Sequence, residues 1–531
     1  MCNLKSSPRI NPHSSNDLFL LSKAEGPHLS QNGRCGPYTK LTTTPVILSE
    51  VEWEGPAFFA GCQEAHQTGH PSSTAKRARV GSFAQREPNF VMNNSPKTTY
   101  SCLKAMRTFT AALLLAVATI AHAAGPTIRR LDGSKISIPE ADALARRVLS
   151  ENHVTGAQVA ILNDGQLVWI SAYGYADLDR HLRMTPETPT WAASITKSVF
   201  ATYVMQLVEQ GVINLDTPLI QLLPKPLDSY PAYKDSASEL VRDPRFATVT
   251  PRMLLSHSSG LANFATVEPD RKMHLHFTPG SSFAYSGEGL NLLQLAIEQR
   301  MQKPLEYLVK AAIFDPLNMT HSFMVWNNTD FNYAAADRYD LNEKFISHTQ
   351  RDHTRAAGSM VTTANDLSIF VTNLLSKPKT GAALRITRDL TGMSAQNNND
   401  TPATPALLKP DSFKTMLTPV IQIDTQRQFP TFDEPKGTEA PAVGLAYGLG
   451  WGLLTKTKFG PAFFKEGHGD GAQNYLICFT KHKDCMIILT NSDNGELAFQ
   501  PLLEGILGDT VTPWKWELYD REGIVASRKK K

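Results

Sequence analysis

The sequence predicts an α+β protein: an antiparallel sheet built from both ends of the chain and flanked by helices, with a mostly helical section inserted between them. Three observations predict it. An amphipathic helix followed by a tight hairpin opens the ordered part. A second pair of apolar strands closes it. The interval between is helical or loop-like, without the regular strand–helix alternation of a doubly wound parallel sheet.

Residues 1–105 are rich in Ser, Pro, Asn, Thr and Gly and show no sustained apolar period, as expected of a disordered or wrongly assigned leader. Met106-Arg107 then begins a basic segment, Ala111 to Ile120 is apolar, and Ala121-His122-Ala123 supplies small-x-small. That order reads as a signal peptide over 106–123, with synthesis starting at Met106, a mature chain from Ala124 and a periplasmic or secreted destination. The apolar run is short of the roughly 20 residues that a membrane span needs. The remainder, 124–531, carries its helical and loop insertions at about 200–440.

Pro139 to Asn152 places Ala141, Leu144, Val148 and Leu149 on one helical side. Ala157 to Leu162 and Leu167 to Ala172 read as strands joined by Asn163-Asp164-Gly165, a strong hairpin turn. From Ser194 the pattern is helical through Val199, Tyr203, Leu207 and Val208, and Gly211 ends it. Pro224 to Thr250 and Lys377 to Val443 are Pro-, Asp-, Thr- and Asn-rich excursions. Strands return at Tyr475 to Thr480 and Cys485 to Asn491.

Of six cysteines, only Cys478 and Cys485 follow the signal segment. A turn at Lys481 to Asp484 would set them diagonally across the hairpin, which favours two buried free thiols over a disulfide. The composition, 41% hydrophobic and 19% charged with net charge +3, is that of an ordinary soluble protein and gives no sign of a nucleic-acid partner.

Ser194-Ile195-Thr196-Lys197 is the first chemical signal. Serine needs a base to become a nucleophile, and a lysine three residues on shares its helical face. The spacing also occurs at Ser73/Lys76, Ser101/Lys104, Ser376/Lys379 and Ser527/Lys530, but only the Ser194 copy follows a strand region and opens a long apolar helix. His274-x-His276 and His257 lack the carboxylate partners of a metal site, so neither metal nor cofactor is expected. No G-x-S-x-G elbow is present, which argues against an α/β-hydrolase.

The segments around Ser194 sharpen this. WAASITK from Trp191, TPRMLLSHSSGL from Thr250, FTPGSSFAYSGEGLNLL from Phe277, FDPLNMTHS from Phe314, AAGSMVTTANDL from Ala356, YGLGW from Tyr447 and EGHGDG from Glu466 occur in order. Over roughly Glu140 to Asn491 the chain resembles the serine β-lactamase and penicillin-binding-protein superfamily, in particular the class C β-lactamase and family VIII carboxylesterase group. The resemblance implies an acyl-enzyme at Ser194, with Lys197 beside it and Tyr285 as the base, its phenol lowered by Lys197. The substrate would be a small carboxylic ester, a β-lactam or a D-amino-acid peptide.

Two departures from that pattern stand out. Gly287 occupies the place of an asparagine that holds the lysine and a substrate amide carbonyl. This favours esters, and restoring Asn there is expected to raise β-lactam turnover. The third motif, Lys-Thr-Gly or His-x-Gly in the family, falls on His468, with Asp470 where a glycine belongs. Gly471 is then the candidate oxyanion donor, paired with Ser194. The alternative function is a non-catalytic relative that binds cell wall or a partner through the same cleft.

Overall fold

The computed structural model describes residues 126–326, 335–376, 405–429, 432, 436–519 and 524. The leader, the signal-like segment 106–123 and the first part of the Lys377–Val443 excursion lie outside them. Helix α1 (Ile138–Glu151) starts at a capping box, in which Ser137 accepts from the Glu140 N–H and the Glu140 carboxylate accepts from the Ser137 N–H. Its buried stripe, Ala141, Ala145, Val148 and Leu149, turns toward the sheet. Strands β1 (Gly156–Asn163) and β2 (Gln166–Asp177) follow. Asp164 and Gly165 both have positive φ between them (53° and 73°), the two-residue turn that Asn-Asp-Gly predicts.

Seven further strands complete one antiparallel sheet: β3 (Leu182–Arg183), β4 (Ile421–Gln422), β5 (Leu445–Tyr447), β6 (Gly452–Leu454), β7 (Ala462–Gly469), β8 (Ala472–Phe479) and β9 (Asp484–Thr490). Among the described residues the order across the sheet is β4-β5-β6-β7-β8-β9-β1-β2-β3. The N-terminal hairpin therefore docks on the last strand, Leu162 facing Cys485 and Ala157 facing Thr490.

Strand alternation divides the core in two. Phe463, Leu476 and Ile487 face one side, against helices α2 (Thr196–Glu209), α3 (Gly287–Met301) and α4 (Ala364–Leu375). Phe464, Ile477 and Ile488 face the other, against α1, α5 (Glu496–Leu502) and α6 (Trp514–Glu517). Residues 224–250 form a chain of short 3-10 turns rather than open loop, anchored by buried Leu227, Leu240 and Phe246. No helix among the described residues is long and apolar enough to cross a membrane.

The cysteine expectation is corrected. Phe479 pairs with Asp484, so the connection is residues 480–483 and Cys478 lies directly opposite Cys485. The two form a disulfide with Cα atoms 4.1 Å apart. The turn falls one residue earlier than Lys481–Asp484, which brings the two cysteines face to face. Closing so short a loop stabilises by about 2–3 kcal/mol. The Cys478→Ala/Cys485→Ala double variant should lower the urea midpoint accordingly, and reductant should then shift the wild type but not the variant.

Candidate active site

Ser194 owes its position to the strain and close packing of the residues before it. Trp191 pairs with Val361 in a short ladder, and the Ala192 N–H donates to Met360 O (2.9 Å). Ala193 then adopts φ +45°, a left-handed conformation that costs a non-glycine residue about 1 kcal/mol or more. The tight turn Ala193–Ile195 leads into α2 and leaves Ser194 at its N-terminal end. Thr196 locks the turn, its hydroxyl donating to Ala193 O (2.6 Å) and accepting from the Met360 N–H (3.1 Å).

Lys197 Nζ lies 2.9 Å from Ser194 Oγ and donates to Ala357 O at 2.5 Å. The lysine is 1% exposed, and burial, reinforced by the Lys465 cation, holds it well below the usual amine range. A neutral Nζ can donate a hydrogen bond to Ala357 O and still offer a lone pair to the serine hydroxyl.

The Tyr285 phenol lies beside Ser194 and Lys465, both of which act on its ionisation. Its ring packs, tilted, on His257 at 4.2 Å, and the Tyr447 ring meets the same imidazole edge-on at 4.7 Å. His257 Nδ1 accepts from the Ser286 N–H (3.1 Å). Burial, reinforced by the Lys465 cation, keeps this imidazole neutral, as a structural support. The expected lowering of the Tyr285 phenol is not found: burial, aided by the Glu466 carboxylate, raises it despite Lys465 and Ser194. Tyr285 is thus a protonated phenol, and the buried amine is the available base.

The third motif is re-registered. Lys465-Glu466-Gly467, three residues before His468, reads Lys-x-Gly and lies against the Ser194 turn. Lys465 is fully buried over the Tyr285 ring (4.9 Å), and Glu466 with the Tyr285 and Tyr447 oxygens holds its charge on despite burial. Gly467 is required by close approach, since a Cβ there would lie 2.3 Å from Ala192 O. His468 lines the cleft but pairs with Glu496 (Nδ1–Oε1 2.8 Å) and is not the motif's leading base. Gly471 does not line the cleft and its N–H donates to Asp493 (2.6 Å), so it is not free to hold an oxyanion.

Gly287 opens α3 and donates its N–H to Asn263 Oδ1 (2.9 Å). A Cβ at this position would meet the Phe264 ring at 2.5 Å. The space the asparagine would use is filled by Asn263 and Phe264, both of which line the cleft where Gly287 does not. Gly287→Asn should therefore cost about 1–3 kcal/mol by overpacking and lower turnover of every substrate, reversing the sequence expectation. Thermal unfolding and cephalosporin kinetics on the variant check both halves.

The cleft has a volume of about 250 Å³. Trp191, Phe264, Tyr285 and Phe429 give it aromatic walls, and Arg351, Arg355 and Glu466 supply charge. Phe429 is brought there by its neighbour Gln428, whose N–H donates to Trp516 O (2.8 Å) in α6. His274 and His276 lie elsewhere, on Asp270 (3.0 Å) and Glu268 (2.6 Å). No cluster of three or more metal-ligating side chains occurs among the described residues.

A nine-stranded antiparallel sheet, helices on both faces and a buried Ser-x-x-Lys turn against the β7 edge define the β-lactamase and penicillin-binding-protein class of hydrolase folds. The model of the beta-lactamase family matches residues 141–506, and the chain belongs to that family. Esterase EstB of Burkholderia gladioli is 28% identical over 212 residues, 36% of this chain and 53% of that protein. Protein flp of Staphylococcus aureus (strain MRSA252) is 24% identical over 209 residues, 36% of this chain and 40% of that protein. The chain thus spans about half or less of the curated relatives it matches. Two solved structures share the fold. The octameric penicillin-binding protein homologue from Pyrococcus abyssi has TM-score 0.53 and 20% identity, covering 72% of this chain and 80% of that one. The D-stereospecific amidohydrolase from Streptomyces sp. has TM-score 0.51 and 20% identity, covering 69% and 99%.

Proposed function

We propose that the protein is an exported serine hydrolase that cleaves a small carboxylic ester through an acyl-Ser194 intermediate. The observation that carries this is the 2.9 Å approach of the buried, neutral Lys197 amine to Ser194 Oγ. Lys197 takes the hydroxyl proton as Oγ attacks the carbonyl carbon. The Tyr285 phenol, beside Ser194 and the Lys465 cation, hands a proton to the departing oxygen and is restored through Lys197.

The developing oxyanion is held by the N–H groups of Ser194 and His468. The Glu466 carbonyl accepts from Lys465 Nζ (3.0 Å) and so points off the β8 ladder. Backbone groups repeat that direction every second residue, which turns the His468 N–H the same way. Esters are favoured over β-lactams because Asn263 and Phe264 occupy the room beside Gly287. Export is supported by the signal-like segment 106–123 and by the buried Cys478–Cys485 disulfide, a bond of oxidising compartments.

The test is a side-by-side assay of p-nitrophenyl butanoate and a chromogenic cephalosporin, with Ser194→Ala as the blank. Ester turnover without cephalosporin turnover supports the reading; cephalosporin turnover as fast as ester turnover replaces it with a β-lactamase. Turnover of neither removes the hydrolytic reading.

A further inference from the structure

The sheet-side wall of the cleft carries two buried polar atoms that no protein group uses. Glu466 and His468 occupy alternate positions of β7 and so share one face of it, and both line the cleft. Glu466 is 1% exposed. Its Oε2 lies 3.0 Å from Lys465 Nζ, while its Oε1 is buried with no protein partner. His468 places Nδ1 on the Glu496 carboxylate at 2.8 Å, which assigns the proton to Nδ1. That leaves Nε2 as the nitrogen on the acceptor side of the ring, and Nε2 too is buried without a protein partner.

We propose that Glu466 and His468 form a subsite for an ammonium, or another strong hydrogen-bond donor, on the substrate. This rests on the acyl-Ser194 reading only for the position of the scissile bond. Lys465 does not turn the wall cationic, because its charge is taken up by Glu466 Oε2 and the Glu466 carbonyl, both at 3.0 Å. Glu517 behind it spends Oε1 on the Tyr475 hydroxyl (3.0 Å), is kept protonated by burial and by Glu466, and has its own Oε2 without a partner, so what the Lys465–Glu466 pair leaves toward the cleft is the unpartnered Glu466 Oε1.

Arg351 and Arg355 pull the other way. Arg355 is exposed, and Arg351 is half-buried over the Trp191 ring at 5.0 Å. Charges in contact with solvent are screened, whereas a buried acceptor left without a donor carries its full desolvation cost until a ligand relieves it. The donor-seeking wall therefore dominates selection, and the substrate class is an amino-bearing ester or amide with an aromatic or apolar body for Trp191, Phe264 and Phe429.

Benzylammonium, benzyl alcohol and benzoate, three probes of one shape, test this by ligand-observed NMR titration of the full chain at neutral pH, which needs no turnover. The expected order of affinity is benzylammonium, benzyl alcohol, benzoate, with at least about a tenfold gap in Kd between the ends. Glu466→Gln, which keeps the shape and removes the charge, should compress that gap to about threefold or less; His468→Ala should narrow it in the same direction. Benzoate binding as tightly as benzylammonium overturns the proposal on the wild type alone, whatever the variants do. So does a gap that survives Glu466→Gln. If the ammonium preference holds while no ester is turned over in a Ser194-dependent way, the subsite stands and the hydrolytic reading falls.

Discussion

Ser194→Ala is expected to reduce ester kcat/KM by at least about 10⁴-fold, since removing the nucleophile of a cooperating set costs nearly as much as removing the set. The fold should be unaffected. Ala193 keeps its φ of +45°, Thr196 still ties the turn to Ala193 and Met360, and Lys197 retains Ala357 O. Steady-state kinetics and thermal unfolding on one preparation separate the two effects. Activity within tenfold of wild type would remove Ser194 from the chemistry; a matching loss of stability would make the kinetic result uninformative about mechanism.

Lys197→Met should lower turnover by about 10³-fold or more, the upper part of what a positioned base contributes. It should also stabilise the protein near neutral pH. Lys197 is held well below its unfolded value, so between the folded and unfolded values the unfolded chain binds the additional proton. Stability therefore rises with pH across that window, and below the folded value the whole penalty is present. Methionine fills a similar shape and carries none of it. Urea midpoints from pH 6 to 10 should converge for wild type and variant as pH rises. The same ionisation predicts an acid limb in the wild-type kcat/KM, rising as Lys197 loses its proton. A variant less stable than wild type at pH 7 would contradict a neutral buried amine.

How much of this was legible depends on how local the determinants are. The hairpin was readable because Asn163-Asp164-Gly165 specifies its own turn, and α1 because its cap and stripe lie within fourteen residues. Ser194 and Lys197 were readable from a three-residue spacing on one helix. Lys465 was passed over although Lys-x-Gly is spelled out at 465–467, because His468-Gly469 offered a rival match and spacing alone does not tell which residue meets Tyr285. Only packing against the Ala192 carbonyl selects Gly467. Gly287 misled for a similar reason: the residues that fill its space, Asn263 and Phe264, are more than twenty positions earlier. The disulfide failed on one residue of turn length, the usual weak point of strand register. His257 reads in sequence as a surface or structural histidine without metal partners and gains its place only from two tyrosine rings brought by separate segments.

The docking of the first hairpin on the last strand bears on when the protein can fold. Asn163 and Asp484, 321 residues apart, are hydrogen-bonded, and the Ser194 turn meets β7 only after most of the chain has been made. Contacts of such long range are slow to form, and until β9 arrives the apolar β1 has an unpaired edge. An emerging chain therefore stays adhesive and without a reactive centre, which fits a polypeptide kept unfolded by chaperones until synthesis or translocation ends. It also means that nonsense fragments lacking the final strands should accumulate as aggregates rather than as weakly active enzyme.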